Sequence, residues 1–336
     1  ASLSQKNQKF RDLLCDFYIT FNNPEAAIPL LQATLDCYPY SINHWNSLGK
    51  CYLSTNDYEE AHEAIDFALA IDDSNAEALT LKAFCYQQSG ELQKSCDYYL
   101  RLAEQQENKT RAYLALAKTY FEMQDYTSSI YYIEALLDNK DALSKYKLSE
   151  LYGDIALCHA ALKHIGVGQA SIRRSLELNE NDPDTLIVAG RFFLMEAKAC
   201  NDETAKAENQ AKGELYFRQA LNLIMEDERL DYLFTIGAAC FDTQNFKLAA
   251  QYYEQINREF PDNAPATYFF LAYCYFYLEE AISCMHYIAK MKHELPDAYS
   301  NLGTSDSILS DTRFNELMRN LKDSVNNGKV DLDNFL

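Results

Sequence analysis

The chain has 336 residues, of which 48% are hydrophobic, and its 25 tyrosines and 18 phenylalanines give it enough surface to bury that a disordered segment is excluded. Its formal charge is −20, from 30 Lys+Arg against 50 Asp+Glu. A field of that sign repels phosphate backbones and anionic lipid, so no nucleic-acid partner and no membrane-surface role is expected, whereas cationic partners would be steered toward it.

No apolar run reaches the roughly 18 residues of a spanning helix, so no membrane insertion is expected either. Ten cysteines are present, none in a C-x-x-C spacing, and most lie in apolar helical stretches where Cys acts as a small hydrophobe. That pattern predicts a reducing, cytoplasmic compartment. No secretory leader is visible from Ala1 onward, and a leader removed ahead of Ala1 is compatible with the sequence. A compact fold of this length would usually divide into two domains, but a stack of repeats escapes that limit because each unit packs only on its neighbours.

The elements repeat from the start of the chain. Tyr18, Tyr52, Tyr86 and Tyr120 are each 34 residues apart. Three more series keep that period: Cys15, Gly49, Ala83 and Ala117; Ala27, Ala61, Ser95 and Ser129; and Arg11, Trp45, Leu79 and Tyr113, in which Arg11 is the misfit. The breaks recur in phase as well, at Asn22-Asn23-Pro24, Asn56-Asp57, Gly90-Glu91 and Gln124-Asp125. Asn and Asp can cap a helix start, and Pro24 suits a first turn, so each unit reads as helix, short polar turn, helix. Trp45, Leu48, Gly49 and Tyr52 occupy one face of the first helix of the second unit, and the small residue among them lets another helix approach closely. Ala61, Ile65, Ala68 and Leu69 form the apolar side of its second helix.

Continuing the register predicts eight units, at about 8–41, 42–75, 76–109, 110–143, 149–182, 183–228, 230–263 and 265–296. The phase slips by five residues around Ser144–Leu148. The sixth unit is lengthened by an insertion near Glu196–Gln210, whose Ala/Lys/Glu content favours longer helices. The eighth has a shortened turn near Leu278–Glu280. The repeat region thus spans 1–297. In 298–336, Tyr299–Ser310 reads as loop, Thr312–Ser324 as one amphipathic capping helix (Phe314, Leu317, Met318 and Leu321 on one face), and Asp331–Leu336 as a tail.

Trp45-x-x-Leu48-Gly49-x-x-Tyr52 followed by Ala61 resembles the tetratricopeptide repeat signature, and Ala249-x-x-x-Tyr253 with Pro261 carries its second half. Ile65 and Asp73 depart from the residues the family favours there. The resemblance implies an all-α fold, a right-handed superhelical solenoid of antiparallel helix pairs with about eight repeats and a capping helix. It further implies a protein-interaction scaffold or adaptor, with the first helices lining a concave face.

Residues lying between the packing positions of those helices are the candidate contacts: Asn46 and Lys50; Thr80, Phe84 and Gln87; and Arg111, Leu114, Lys118 and Phe121. Amides, cations and aromatics in that mixture suit an extended peptide with acidic side chains. The family subset that clamps a C-terminal carboxylate needs Asn and Lys/Arg across three units. Asn46 and Lys50 fit it, but Phe84, Leu114 and Lys118 leave the set incomplete. A second candidate surface is aromatic: Phe269, Phe270, Tyr273, Phe276 and Tyr277 are left over from the packing face of Tyr268–Tyr277, with Phe234 and Phe241 one unit earlier. It is either a binding patch or the seat of the 312–324 helix.

No catalytic, cofactor or metal site is predicted. The six histidines are scattered, with His159 and His164 five apart rather than four. The acidic pairs Asp72-Asp73 and Glu279-Glu280 fall at turns, and Gly166-Val167-Gly168 reads as the turn of the fifth unit rather than a phosphate cradle. The alternatives to a scaffold are a structural subunit of a larger assembly and, behind it, a small-ligand regulator or enzyme. Oligomeric state is not legible in the sequence.

Overall fold

Helix follows helix along the whole described chain, each pair closed by a two- to three-residue turn. The structure, a computed structural model, describes residues 11–138 (except 12, 16 and 22), 143–296, 299, 311–317 and 319. Among these residues there is no strand. The chain divides into two units, Ala1–Leu143 and Ser144–Leu336.

The first unit holds α1 (residues 11–20), α2 (Pro24–Cys37), α3 (Ile42–Thr55), α4 (Tyr58–Ile71), α5 (Ala76–Gln88), α6 (Leu92–Ala103), α7 (Lys109–Glu122) and α8 (Tyr126–Leu137). Each helix from α2 to α8 packs on the next, and α3 also packs on α5. The second unit holds α9 (Lys145–Ala161), α10 (Ile165–Leu178), α11 (Pro183–Ala199), α12 (Glu203–Leu221), α13 (Arg229–Asp242), α14 (Phe246–Glu259), α15 (Tyr268–Tyr277), α16 (Ala281–Glu294) and a short α17 (312–317). There α9 packs on α11 and α11 on α13, so alternate helices share a layer. At 17 and 19 residues, α11 and α12 are the long pair over the insertion. Residues 8–10, 139–142, 300–310, 320–324 and 331–336 of the expected elements lie outside the described residues.

Six of the turns inside pairs share one geometry, whereas the chain leaves α11 for α12 through Cys200 at φ −84°. Asn56, Gly90, Gln124, Lys163, Gln244 and Glu279 sit at left-handed φ values of 60–78°. The next residue's N–H then reaches back five residues: Asp57 to the Tyr52 carbonyl at 2.9 Å, Glu91 to Tyr86 at 2.8 Å, Asp125 to Tyr120 at 2.9 Å, His164 to His159 at 2.8 Å. This is the Schellman closure, which satisfies carbonyls that a helix end would otherwise leave bare. Side-chain caps start many of the helices: Asp125 Oδ1 accepts from Ser128 N at 3.1 Å, Asp182 Oδ2 from Thr185 N at 2.8 Å and Asp202 Oδ1 from Ala205 N at 2.7 Å.

The pairs close on small residues. A Cβ at Gly49 would stand 2.7 Å from Ile65 Cγ1, and one at Gly237 would stand 2.9 Å from the Tyr253 ring. The Gly166-Val167-Gly168 stretch is not a turn. It forms the first turn of α10, which begins at Ile165, and Gly168 is there because Phe192 packs against it (2.7 Å to a Cβ).

Candidate functional site

Three first helices of the N-terminal unit, α3, α5 and α7, bring most of the predicted contact residues into one linked row. Lys50 of α3 pairs with Glu77 of α5. Gln87 Nε2 of α5 donates to Glu122 Oε2 of α7 at 2.7 Å. Phe84 is 41% exposed between them. Arg111 and Lys118 are exposed on α7 and form no ion pair among the described residues. Thr80 and Leu114 are half-buried, the Thr80 hydroxyl donating to the Ala76 carbonyl of its own helix at 2.7 Å. Phe121 is half-buried and meets Tyr126 edge-on, at 5.4 Å between centroids.

Asn46 does not join this row as an open contact. It is 1% exposed, and its Nδ2 donates to Asn75 Oδ1 at 3.0 Å and to Glu77 Oε2 at 3.1 Å. Asn75 is the residue that caps α5, accepting from Ala78 N at 2.9 Å. The start of α5 therefore closes over Asn46 and makes it a cross-link between repeats.

Glu77, which is not among the predicted contacts, organises this end of the row. Burial pushes its carboxyl up, but the Lys50 ammonium, the Asn46 amide and the Arg111 guanidinium together outweigh burial and hold it below the usual range. Its signal was available, since Glu77, Thr80 and Phe84 are i, i+3, i+7 on one helix face. The row thus presents Lys50, Arg111 and Lys118 against Glu77 and Glu122, a locally cationic strip on a chain of net charge −20.

In the second unit the aromatic residues mostly bury one another. Phe270 stacks on Tyr253 (4.9 Å, 15°), Phe241 meets Phe246, Phe270 and Tyr273 edge-on, and Phe234 tilts toward Tyr253 at 6.3 Å. Tyr277 stacks on Phe246 (4.4 Å, 6°), and Phe269 lies against Tyr273 (4.6 Å). Phe276 is not part of an open patch. It is 5% exposed, with Phe314 of α17 6.3 Å away and the Arg313 guanidinium over its ring. Phe269 at 38% and Tyr277 at 42% keep open surface. A hollow of about 280 Å³ at this end is lined by Tyr277, Glu279, Arg313 and Glu316.

Among the described residues no three His, Cys, Asp or Glu side chains come together as metal ligands, and no helix is long and apolar enough to cross a membrane. Burial raises the buried thiols: Cys51 and Cys96 to about 11, Cys274 and Cys284 to about 12.

The model of the tetratricopeptide repeat family matches residues 46–110, which run from α3 into α7 and include Lys50, Glu77 and Phe84. The chain carries tetratricopeptide repeats. No curated protein matches it. Among solved structures it is similar to a tetratricopeptide repeat protein from Parabacteroides merdae, with 12% identity over 74% of this chain and 92% of that one and a TM-score of 0.59. It is also similar to the C-terminal part of a repeat-containing protein from Cytophaga hutchinsonii (16% identity, 76% and 92% coverage, TM-score 0.48) and to MamA (19%, 53% and 94%, TM-score 0.46). At 12% identity the likeness to the Parabacteroides merdae protein speaks to fold alone. The tetratricopeptide fold is in general a protein-interaction scaffold, and the α3 and α5 part of the row lies within the matched repeats, while Arg111 and Lys118 of α7 lie beyond them.

Proposed function

We propose that this tetratricopeptide repeat protein is an adaptor that holds an acidic, extended peptide segment of a partner protein along α3, α5 and α7. The observation that supports this reading most is the set of cations on an acidic chain. Lys50 comes from α3 and Arg111 and Lys118 from α7, with exposed Phe84 of the intervening α5 among them. Lys118 has no ion-pair partner among the described residues, so an incoming carboxylate does not have to displace an internal one there. Phe84 offers an apolar contact between the charges, and the Gln87–Glu122 hydrogen bond steadies the surface beneath.

Each exposed ion pair contributes only about 0.2–1 kcal/mol, so three of them plus Phe84 suit a weak, salt-sensitive grip rather than a permanent one. The experiment is fluorescence polarisation with labelled decapeptides of acidic, neutral and basic composition. Acidic peptides are expected to bind best and to weaken from 50 to 300 mM salt. Equal binding of all three compositions, or none of the acidic one, would overturn the proposal.

A further inference from the structure

A second site lies at the first interface between repeats, apart from the row described above. A cavity of about 470 Å³ opens between α2, α3 and α4. Its walls are aromatic: Trp45, Tyr52 and Phe67. Its rim carries Asp36, Glu60 and Glu63, and no basic residue lines it. None of those three carboxylates has an ion-pair partner among the described residues.

The walls are held in place before any ligand arrives. Trp45 Nε1 donates to the Pro39 carbonyl at 2.8 Å, and its ring stacks on Phe67 (4.6 Å, 18°). Gln32 Nε2 donates to the Tyr52 hydroxyl at 2.8 Å. Phe67 nevertheless stays 53% exposed.

The reason for the cavity appears on moving one repeat along. The repeat period of 34 takes Tyr52 to Tyr86 and then Tyr120, and Ala64 to Tyr98 and then Tyr132. At the second interface Tyr98 stacks on Tyr86 (5.6 Å, 27°), and at the third Tyr132 stacks on Tyr120 (5.5 Å, 7°). At the first interface the matching residue is Ala64, so the face of Tyr52 has no ring against it.

The second interface also shows which chemistry fills such a groove. There Lys82 and Lys94 place their ammonium groups 5.5 and 5.2 Å from the Tyr86 centroid. Arg101 lies 5.3 Å from the Tyr98 centroid, and its Nη2 donates to the Asp73 carbonyl at 2.8 Å. By the same period, Lys94 corresponds to Glu60, Arg101 to Phe67 and Lys82 to Leu48. The first interface thus keeps the aromatic surface, lacks the three cations and carries carboxylates around the space they would fill.

We propose that this cavity is a binding site for an arginine side chain of a partner peptide. A guanidinium is planar, stacks on aromatic faces and pairs bidentately with carboxylates, whereas an ammonium does neither as well. Its plane takes the place on Tyr52 that Tyr98 and Tyr132 take on their own tyrosines, with Glu60 and Glu63 as counter-ions. The volume falls within the range of small-ligand sites, enough for one long side chain and its backbone. The site uses none of Lys50, Phe84, Arg111 or Lys118, so it stands or falls independently of the acidic-peptide row.

The test uses the whole chain and its single tryptophan, Trp45, as reporter. The probes are an acetylated, amidated pentapeptide with two arginines, its lysine counterpart and its citrulline counterpart, which keeps the shape and loses the charge. The arginine peptide should change Trp45 emission saturably, the lysine peptide should bind about fivefold more weakly, and the citrulline peptide should not respond. Ala64→Tyr fills the cavity as the later repeats do. Ala64→Tyr, and separately Glu60→Gln with Glu63→Gln, should each weaken calorimetric affinity by about tenfold or more. Phe67→Ala, at an exposed position, serves if the tyrosine variant misfolds. Charge reversal at Lys50, Arg111 and Lys118 should leave the arginine response in place. No saturable emission change at millimolar peptide, or wild-type affinity in the cavity and carboxamide variants, would overturn the site.

Discussion

The contact between α11 and α12 makes a quantitative prediction, because it is limited by backbone rather than by side chains. A Cβ on Gly213 would sit 2.9 Å from the Gly190 carbonyl oxygen and 3.0 Å from Leu194 Cδ2. Replacing glycine by alanine inside a helix should gain about 1 kcal/mol of propensity. Against that, a backbone oxygen cannot rotate away, so the two helices must separate by several tenths of an ångström. They would loosen the core around Phe217 and Leu194, which are 0% and 1% exposed. Overpacking costs about 1–3 kcal/mol, toward the upper end where backbone meets backbone, so net of the propensity gain Gly213→Ala should be destabilising by about 1–2 kcal/mol. For a unit of this size that lowers the melting midpoint by about 2–8 °C. Gly166→Ala is the control: nothing lies within 4 Å of its Cβ, so it should be neutral or stabilising. Circular-dichroism melts and urea titrations of both variants provide the measurement. If Gly213→Ala is as stable as Gly166→Ala, the close backbone approach of α11 and α12 is wrong.

Other expectations concern charge and turns. Burial raises the pKa of Glu196, 2% exposed, against weaker opposing contributions from Gln169 and Lys212. Its ionisation therefore penalises the folded state at neutral pH, and the penalty disappears below about pH 4.5, the ordinary value, where both states are protonated. Glu196→Gln should be more stable than wild type at pH 7 and no different at pH 4, as read by urea unfolding at both. Glu77 behaves oppositely. Its folded pKa is depressed below 4.5, so its contribution is present above that value and is lost as pH falls through the folded pKa. Glu77→Gln should consequently show a smaller loss of stability on acidification than wild type. Gly90 has φ +78° with open space around it, so Gly90→Ala should cost about 1 kcal/mol for backbone reasons alone, whereas Gln124→Gly, at φ 61°, should cost nothing or stabilise.

Much of the architecture was written in periodicity. The tyrosine series, the Gly49 series and the Asn-Asp breaks mark helix faces and turns because a repeat must bury the same stripe each time. What escaped the sequence was set by groups from neighbouring repeats. Asn46 occupies an exposed-type position, but the N-terminus of α5 closes over it with Asn75 and Glu77. Phe276 reads as surplus aromatic area until Phe314, far along the chain, is placed beside it. Gln124 and Glu279 fall at turns by phase, but Lys163 and Gln244 adopt the same left-handed conformation with no glycine to mark it. The Ala64 cavity is visible only by comparing three interfaces, since one alanine is unremarkable until tyrosines are found at the same place in the next two repeats.

The adaptor reading rests on the cations of α3 and α7, and its most direct test is titration of an acidic decapeptide into the wild-type chain and into a Lys50→Glu, Arg111→Glu, Lys118→Glu variant. Lys145→Glu combined with Arg173→Glu and Lys247→Glu, three exposed charges of the second unit, serves as the control for net charge. The account predicts at least about a tenfold loss of affinity in the triple variant, little change in the control, and a shallower salt dependence once those charges are gone. Unchanged affinity in the triple variant, with its helicity intact, would contradict it.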